Sequence, residues 1–227
     1  MIQDINNILI IAAHQDDETI GCGGSIKKWH LENKTINLVL FTDGSTGIDQ
    51  LNLYDSITEV RNKELDQVKN ILGINKVVSL NEKCQSIQNN QITFHKVIKL
   101  IREYKPDLII THSSIDKHRD HRTINEIVVE ACWKAQEDIH PELGKQHKIK
   151  DLWAFEITDL LPKVDYVVDI TDTYNYKIKA MNTYNSQHNI MKGINNHLKG
   201  MALCRGYMIE KMYGEAFVSI SKQPVIL

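Results

Sequence analysis

Residues 8–25 read ILIIAAHQDDETIGCGGS, and this stretch decides the fold. Its first six residues are apolar and rich in β-branched side chains, which is typical of a short strand buried on both faces. One imidazole and three carboxylates follow at once, in residues 14–18. Such groups are costly to bury without partners, and open α/β sheets bind ligands just beyond the carboxyl ends of their strands. We therefore expect a functional site directly after this strand.

The pattern of a buried strand followed by a helix recurs along the first 136 residues. Predicted strands lie at 8–13, 36–41, 77–80 and 107–111, and the predicted helices are one that ends at 31 and those at 56–72, 92–104 and 124–136. Beyond Pro141 the pattern loosens, with strands predicted at 152–157 and 166–170 and a helix at 172–184. This alternation predicts a Rossmann-like α/β open sheet, mostly parallel, with helices on both faces. Since no repeat or linker interrupts the chain, residues 1–227 are predicted to form one domain.

Composition narrows the classes of partner. The chain is 42% hydrophobic and 25% charged with a net charge of −2, so it fits a soluble globular protein and gives no reason to expect nucleic acid or an anionic membrane as partner. No signal peptide or membrane span is recognisable. The four cysteines are scattered, which predicts reduced thiols in a cytoplasmic protein rather than a thiolate metal site. The sequence leaves the formation of homo-oligomers open.

A second polar segment, residues 112–122, lies where the fourth predicted strand gives way to a helix. It contains the run His118-Arg119-Asp120-His121, in which the two histidines are three positions apart and therefore close together at the start of a helix. Both polar segments follow strand ends. Because the carboxyl ends of parallel strands meet at one edge of a sheet, the two segments are expected to converge.

The converging residue types suit a catalytic metal ion. His14, Asp17 and His121 can supply two imidazoles and one carboxylate, and three protein ligands with an open water position describe a catalytic zinc site. Asp16 is not needed as a ligand and could take a proton from the water as general base.

The second segment also supplies a candidate proton donor. His118 could donate a proton or a hydrogen bond to an oxyanion or a leaving group. Asp120 is expected to orient the His118 imidazole and to raise its pKa. His112 and Asp116 are near enough in sequence to line the same site, but a helix or loop surface is the position that we expect for both.

Other interpretations use the same residues. Two histidines and a carboxylate also describe non-haem Fe(II) oxygenases, although such sites do not need the adjacent base. A carbohydrate-binding protein without turnover is a further alternative. The run from Gly21 to Gly24 is similar to a loose dinucleotide fingerprint, but the acidic residues before it would repel a pyrophosphate.

Two short motifs resemble those of a known family. Residues 13–18, AHQDDE, resemble the Ala-His-Pro-Asp-Asp-Glu signature of the LmbE/PIG-L family of zinc-dependent N-deacetylases, and residues 118–121, HRDH, resemble its His-Pro-Asp-His motif. The resemblance implies that His14, Asp17 and His121 bind zinc and that Asp16 is the general base. It also implies that His118 is the proton donor and that Asp120 supports it. It also implies hydrolysis of an N-acetyl group on an amino sugar or sugar conjugate, including nucleotide- or lipid-linked ones. Fe(II) and Mn(II) remain alternatives to Zn(II).

Weaker similarities to the family imply contacts with the substrate. They cover the loop at Thr42-Asp43-Gly44, an Arg-x-x-Glu pair in a helix, and a Ser-Gln element, and the implied substrate contacts are Asp43, Arg61 and Gln187. Gln15 and Arg119 stand where the family has proline, which would leave both turns less stiff. Arg119 also adds a cation that could favour an anionic substrate, such as a phosphorylated or nucleotide-linked sugar.

Overall fold

The computed structural model describes residues 2–45 and 54–220. Thr46 and Gly47, which end the predicted loop after the second strand, lie outside the described residues. The strands are Asn7–Ala12 (β1), Thr35–Thr42 (β2), Lys76–Glu82 (β3), Leu108–His112 (β4), Asp151–Phe155 (β5), Tyr166–Asp169 (β6) and Gly214–Ser219 (β7). The α-helices are Asp17–Leu31 (α1), Tyr54–Leu72 (α2), Gln91–Tyr104 (α3), Arg119–Ala135 (α4), Tyr174–Thr183 (α5) and Ile194–Tyr207 (α6). Short 3₁₀ helices are Ile2–Asp4, Pro141–Leu143 and Asn185–Gln187.

One sheet of seven strands forms the centre, in the order β3-β2-β1-β4-β5-β7-β6. Strands β1 to β5 are parallel, while β7 runs antiparallel to both of its neighbours. Alternate residues of β1 enter two hydrophobic cores, one against α1, α2, α5 and α6 and the other against α3 and α4. The predicted open, mostly parallel sheet with helices on both faces is therefore confirmed.

The C-terminal part is where the prediction was incomplete. The sequence predicted only a mixed tail after residue 184, whereas the structure forms α6 and places β7 inside the sheet. The strand GEAFVS is hard to recognise because it carries a fully enclosed glutamate, Glu215, at a position where a buried strand usually has an apolar residue.

The buried Glu215 accepts hydrogen bonds at a break in α1. Cys22 has non-helical backbone angles (φ −151°, ψ 23°), which interrupts the helical hydrogen bonds. Lys177 of α5 donates to the free carbonyl of Ile20 at 2.8 Å, and Glu215 accepts the backbone N–H groups of residues 24 and 25 at 3.0 and 2.7 Å. Lys177 and Glu215 also pair with each other at 2.6 Å. Two elements from the C-terminal half thus hold the helix that follows β1.

The glycines of this run serve packing. A Cβ at Gly21 would lie 2.7 Å from the ring of Phe155, and one at Gly24 would lie 2.8 Å from Ile170. At these two glycines α1 lies so close to Phe155 and Ile170 that a residue with a Cβ atom would not fit. Because Glu215 already occupies the N–H groups after the break, the run does not offer them to a pyrophosphate.

Two observations concern the wider predictions. Among the described residues, no helix is both long and apolar enough to cross a membrane. All four cysteines lie in the described part, none of them forms a disulfide, and Cys204 alone among them is exposed.

We predict that Lys177→Met destabilises the protein strongly, because it leaves Glu215 buried without its cation. Removing one partner of a buried ion pair costs about 3–5 kcal/mol. The matched control is Lys96→Met, whose partner Glu82 lies at the surface, where such pairs contribute less than about 1 kcal/mol. Urea unfolding of both variants measures the difference. Equal, small losses of unfolding free energy would contradict the role of the buried pair.

Candidate active site

The two polar segments meet at the carboxyl ends of β1 and β4. Asp17, the first residue of α1, lies at the centre of the group. Its carboxylate is 3.2 Å from Nδ1 of His14 and 3.3 Å from Nε2 of His121. The three residues predicted as metal ligands are therefore adjacent, although His121 comes from α4 on the other side of β1.

Each of these two imidazoles has its other nitrogen next to a second carboxylate. Nε2 of His14 lies 3.1 Å from Asp120, and Nδ1 of His121 lies 3.1 Å from Asp116. Metal-binding histidines usually have one nitrogen on the metal and the other held by a carboxylate or carbonyl, which fixes the tautomer and the ring orientation. The nitrogens that face Asp17 are thus the ones placed to hold a metal.

The donor set fits a divalent metal such as zinc. Two imidazole nitrogens and a carboxylate oxygen are typical ligands of a catalytic zinc ion. Both nitrogens of His121 are buried without a hydrogen bond of normal geometry, and because Nδ1 faces the Asp116 carboxylate at 3.1 Å, Nε2 is the nitrogen available to a metal. Burial alone would raise the pKa of Asp17, but the imidazoles of His121, His112 and His14 outweigh it and hold that pKa well below its usual value, so the carboxylate is in the form that binds a cation.

Two further histidines lie close enough to compete as ligands. Convergent ligand groups are His14, His118 and His121, and Asp17, His112 and His121. Nε2 of His112 accepts the backbone N–H of Ala13 at 2.9 Å, so its lone pair is used and its proton is on Nδ1. Nδ1 of His118 accepts the backbone N–H of Asp120 at 3.2 Å, which leaves Nε2 to carry the proton. His112 therefore supports the end of β1, and His118 presents an N–H group.

Asp120 and His118 differ from the sequence prediction. The Asp120 carboxylate contacts His14 and accepts the backbone N–H of Gln85 at 2.7 Å, instead of orienting His118. As predicted, Asp120 raises the pKa of His118, but burial, His121 and His14 lower it by more, so the net pKa of His118 is lowered. Asp120 does not orient His118 through its carboxylate because His118 is the N-cap of α4, and its ring turns back to accept the backbone N–H of Asp120.

His112 and Asp116 also differ from their expected surface positions, because both are buried. His112 is the last residue of β4, a strand that is buried along its whole length. Asp116 accepts hydrogen bonds from the backbone N–H of His118 and the hydroxyl of Thr158, both at 2.8 Å, in addition to facing His121. A histidine placed directly at the end of a buried strand was the sequence signal that could have identified the first of them.

Asp16 lies beside Asp17 in a strained backbone conformation. Its φ of 126° is in a region that side chains other than glycine rarely adopt, and such residues cost about 1–3 kcal/mol each. Burial raises the pKa of Asp16 to about 7, with Arg61 lowering it and Asp17 raising it. A carboxylate that takes up a proton near neutral pH is suited to act as a general base.

The four predicted substrate contacts occupy different environments. Arg61 is 3% exposed and donates to the Asp16 carboxylate at 3.2 Å and to the carbonyls of Gln15 and Gly44. Gln187 is 4% exposed, Asp43 is half-buried and accepts the backbone N–H of Ser45, and Arg119 is exposed. Among these four, only Arg119 is freely presented to solvent, whereas Arg61 is buried beside Asp16.

Gln15, which stands where the family has proline, is anchored by its neighbours. It is 1% exposed, its carbonyl accepts from Arg61, and its side chain donates to the carbonyl of Asp43 at 3.4 Å. These contacts restrain the turn in place of the proline ring.

Comparisons with known proteins agree with the geometry. The chain is 27% identical to diacetylchitobiose deacetylase of Thermococcus kodakarensis, over 93% of this chain and 82% of that protein. It is 23% identical to a probable N-acetyl-alpha-D-glucosaminyl L-malate deacetylase 2 of Bacillus cereus, over 82% of this chain and 85% of that protein. The solved structure of N,N'-diacetylchitobiose deacetylase from Pyrococcus horikoshii superimposes with a TM-score of 0.89 at 26% identity, covering 96% of this chain and 85% of that one.

The sequence profile of one protein family covers both motifs of the site. It is the PIG-L family, described as GlcNAc-PI de-N-acetylase, and it matches residues 9–132, which is more than half of the chain. The match begins in β1, just before His14, and ends in α4, the helix that carries His121. The chain therefore belongs to the PIG-L (LmbE) family of deacetylases.

Proposed function

We propose that this protein is a metal-dependent hydrolase that removes an N-acetyl group from an amino sugar or sugar conjugate, releasing acetate and a primary amine. One observation carries the proposal: His14 and His121 each direct one nitrogen at Asp17 and the other at a second carboxylate. The names of the relatives support the amino-sugar substrate class. The whole of residues 1–227 is assigned to this one deacetylase domain, and a cytoplasmic location remains a prediction.

The metal would be held by His14, Asp17 and His121. When bound, zinc supplies a Lewis acid and lowers the pKa of a water molecule towards about 7. The Asp16 carboxylate takes the proton of the attacking water, and Arg61 fixes the direction in which that carboxylate points.

His118 is assigned the role of proton donor. Because its Nδ1 accepts the Asp120 backbone N–H, the proton on Nε2 is available for the oxyanion that develops on the amide carbonyl or for the departing amine. The ring is half-buried and lies 4.8 Å, centre to centre, from that of His14. Asp120 acts on the other side, where it holds His14.

The sugar is recognised outside this group. Arg119 is exposed next to His118, so it is placed to contact an anionic part of a conjugate. Asp43 and Gln187 remain proposed contacts with the substrate, although Gln187 is almost fully enclosed.

Acetate release from a panel of N-acetylated sugars, sugar nucleotides and glycoconjugates tests the proposal. We expect release that stops when a chelator is added and resumes when zinc is restored. If protein that holds its metal releases no acetate from any substrate of the panel, the proposed function is contradicted and the sugar-binding alternative is favoured. Oxygen uptake by anaerobically purified, iron-loaded protein would instead favour the Fe(II) enzyme.

We predict that Asp16→Asn lowers kcat by about 10²- to 10⁴-fold, which is the usual contribution of a general base, and that it retains stoichiometric zinc. His121→Ala, which removes a ligand, is the paired variant and should lose zinc along with activity. Elemental analysis and acetate release on the same samples check both. Loss of zinc from Asp16→Asn with turnover retained would reverse the assigned roles.

We predict that Arg61→Lys lowers kcat by about tenfold with little change in KM, because lysine cannot donate to Asp16 and to the backbone together. Arg119→Ala is the comparison at the exposed residue next to His118. It should raise KM for anionic conjugates and leave both constants for neutral disaccharides unchanged. Steady-state kinetics on one substrate of each kind separate the two arginines. A raised KM in Arg61→Lys with unaltered kcat would show direct substrate contact instead.

A further inference from the structure

We propose that Glu18 and Tyr184 are positioning residues that hold the backbone of Asp16 in its strained conformation. Neither residue belongs to the ligand set, and neither is assigned a part in proton transfer. The proposal rests on the role of Asp16 as general base in the proposed function, and it extends the machinery to a residue in the C-terminal half of the chain.

The strained residue is held from two sides. Arg61 donates to the Asp16 side chain and to the carbonyl before it. On the other side, Oε2 of Glu18 accepts the backbone N–H of Asp16 at 3.1 Å. A residue with φ of 126° keeps this conformation only when its surroundings fix it. Glu18 and Arg61 therefore hold the N–H and the C=O of the same peptide group, between Gln15 and Asp16, and Arg61 also holds the Asp16 side chain.

Glu18 is itself fixed by two hydroxyl groups. Its Oε1 accepts from Tyr184 at 2.8 Å and from Thr19 at 2.7 Å. Glu18, Thr19 and Tyr184 are each 0% exposed. The carboxylate therefore uses both oxygens inside the protein, and its orientation is set by donors whose own positions are packed.

Tyr184 connects this arrangement to the C-terminal half. It directly follows α5 and precedes the 3₁₀ helix Asn185–Gln187, where Ser186 binds the Glu64 carboxylate through its backbone N–H and its hydroxyl, at 2.9 and 2.7 Å. Glu64 lies one turn after Arg61 on α2. The same segment thus contacts Glu18 directly and, through Ser186, the helix that carries Arg61. A shift of this segment would be transmitted to the base through Tyr184.

The chemistry of the contact predicts which substitutions are tolerated. Glutamine at position 18 keeps an oxygen for the Asp16 N–H, and its amide can donate to the two hydroxyls, so the geometry is preserved without the charge. Leucine has a similar volume but no acceptor. Phenylalanine at position 184 removes one donor and leaves the ring in place.

The test measures acetate release, zinc content and urea unfolding of Tyr184→Phe, Glu18→Gln and Glu18→Leu. We expect kcat to fall about tenfold in Tyr184→Phe and about a hundredfold in Glu18→Leu, which is the range for a misplaced catalytic group. Zinc stoichiometry and KM should stay unchanged. Glu18→Gln should stay within about threefold of the wild type, because the position and not the charge is what matters.

Thr173→Val is the matched control. Its hydroxyl makes a buried 2.8 Å hydrogen bond to the carbonyl of Gly24, away from Asp16. It should lose stability comparable to Tyr184→Phe and keep full kcat. The double variant Tyr184→Phe/Glu18→Leu should be no slower than Glu18→Leu alone, since Tyr184 acts only through Glu18.

Three results would overturn the proposal. The first is a wild-type kcat in Tyr184→Phe, and the second is a Glu18→Gln variant as slow as Glu18→Leu. The third is a raised KM in the single variants together with additive losses of kcat in the double variant. If Glu18→Leu does not fold, the first two variants decide. The amide resonance of Asp16 in ¹⁵N-labelled protein reports independently of turnover. It should move in Tyr184→Phe and stay in Thr173→Val. If the wild type releases no acetate, only the proposed function is contradicted. The positioning role is contradicted separately if the Asp16 resonance does not move in Tyr184→Phe.

Discussion

The buried carboxylate of Asp17, surrounded by imidazoles, is the constraint on which the rest of the site depends. A charged group in the interior needs partners, and Asp17 has the imidazole nitrogens of His14 and His121 within 3.3 Å. Both rings are turned by further carboxylates so that a lone pair faces the centre. The arrangement is satisfied electrostatically when a cation joins it, which explains why so much polarity is tolerated at the end of two buried strands.

The fold delivers these groups from distant parts of the sequence. Parallel pairing of β1 with β4 places both polar segments at one edge, and the α1 and α4 helices start there. The C-terminal half then acts on the same helix twice. Lys177 and Glu215 satisfy the break in α1, and Tyr184 reaches the residue that holds Asp16. The N-terminal motif is thus incomplete without the segment that follows residue 170.

The sequence predicted the sheet and the ligand neighbourhood because both follow from local patterns. Apolar runs that end in polar clusters indicate strand ends, and parallel pairing brings such ends together. Partner choice was less predictable. Asp120 binds His14 rather than His118, and Asp116 supports His121, because the turn at the start of α4 sets where each carboxylate points. Neither the buried role of Arg61 nor the insertion of β7 has a local sequence signal, since both depend on contacts between distant segments.

The most direct test of this account is the position of the metal. Anomalous diffraction at the zinc absorption edge, from crystals of the zinc-loaded protein, would locate the ion without reference to activity. The account predicts one strong peak within bonding distance of Nδ1 of His14, the Asp17 carboxylate and Nε2 of His121, with His112 and His118 outside it. A peak bound by His118 or His112 in place of His14, or no peak at these strand ends, would contradict it.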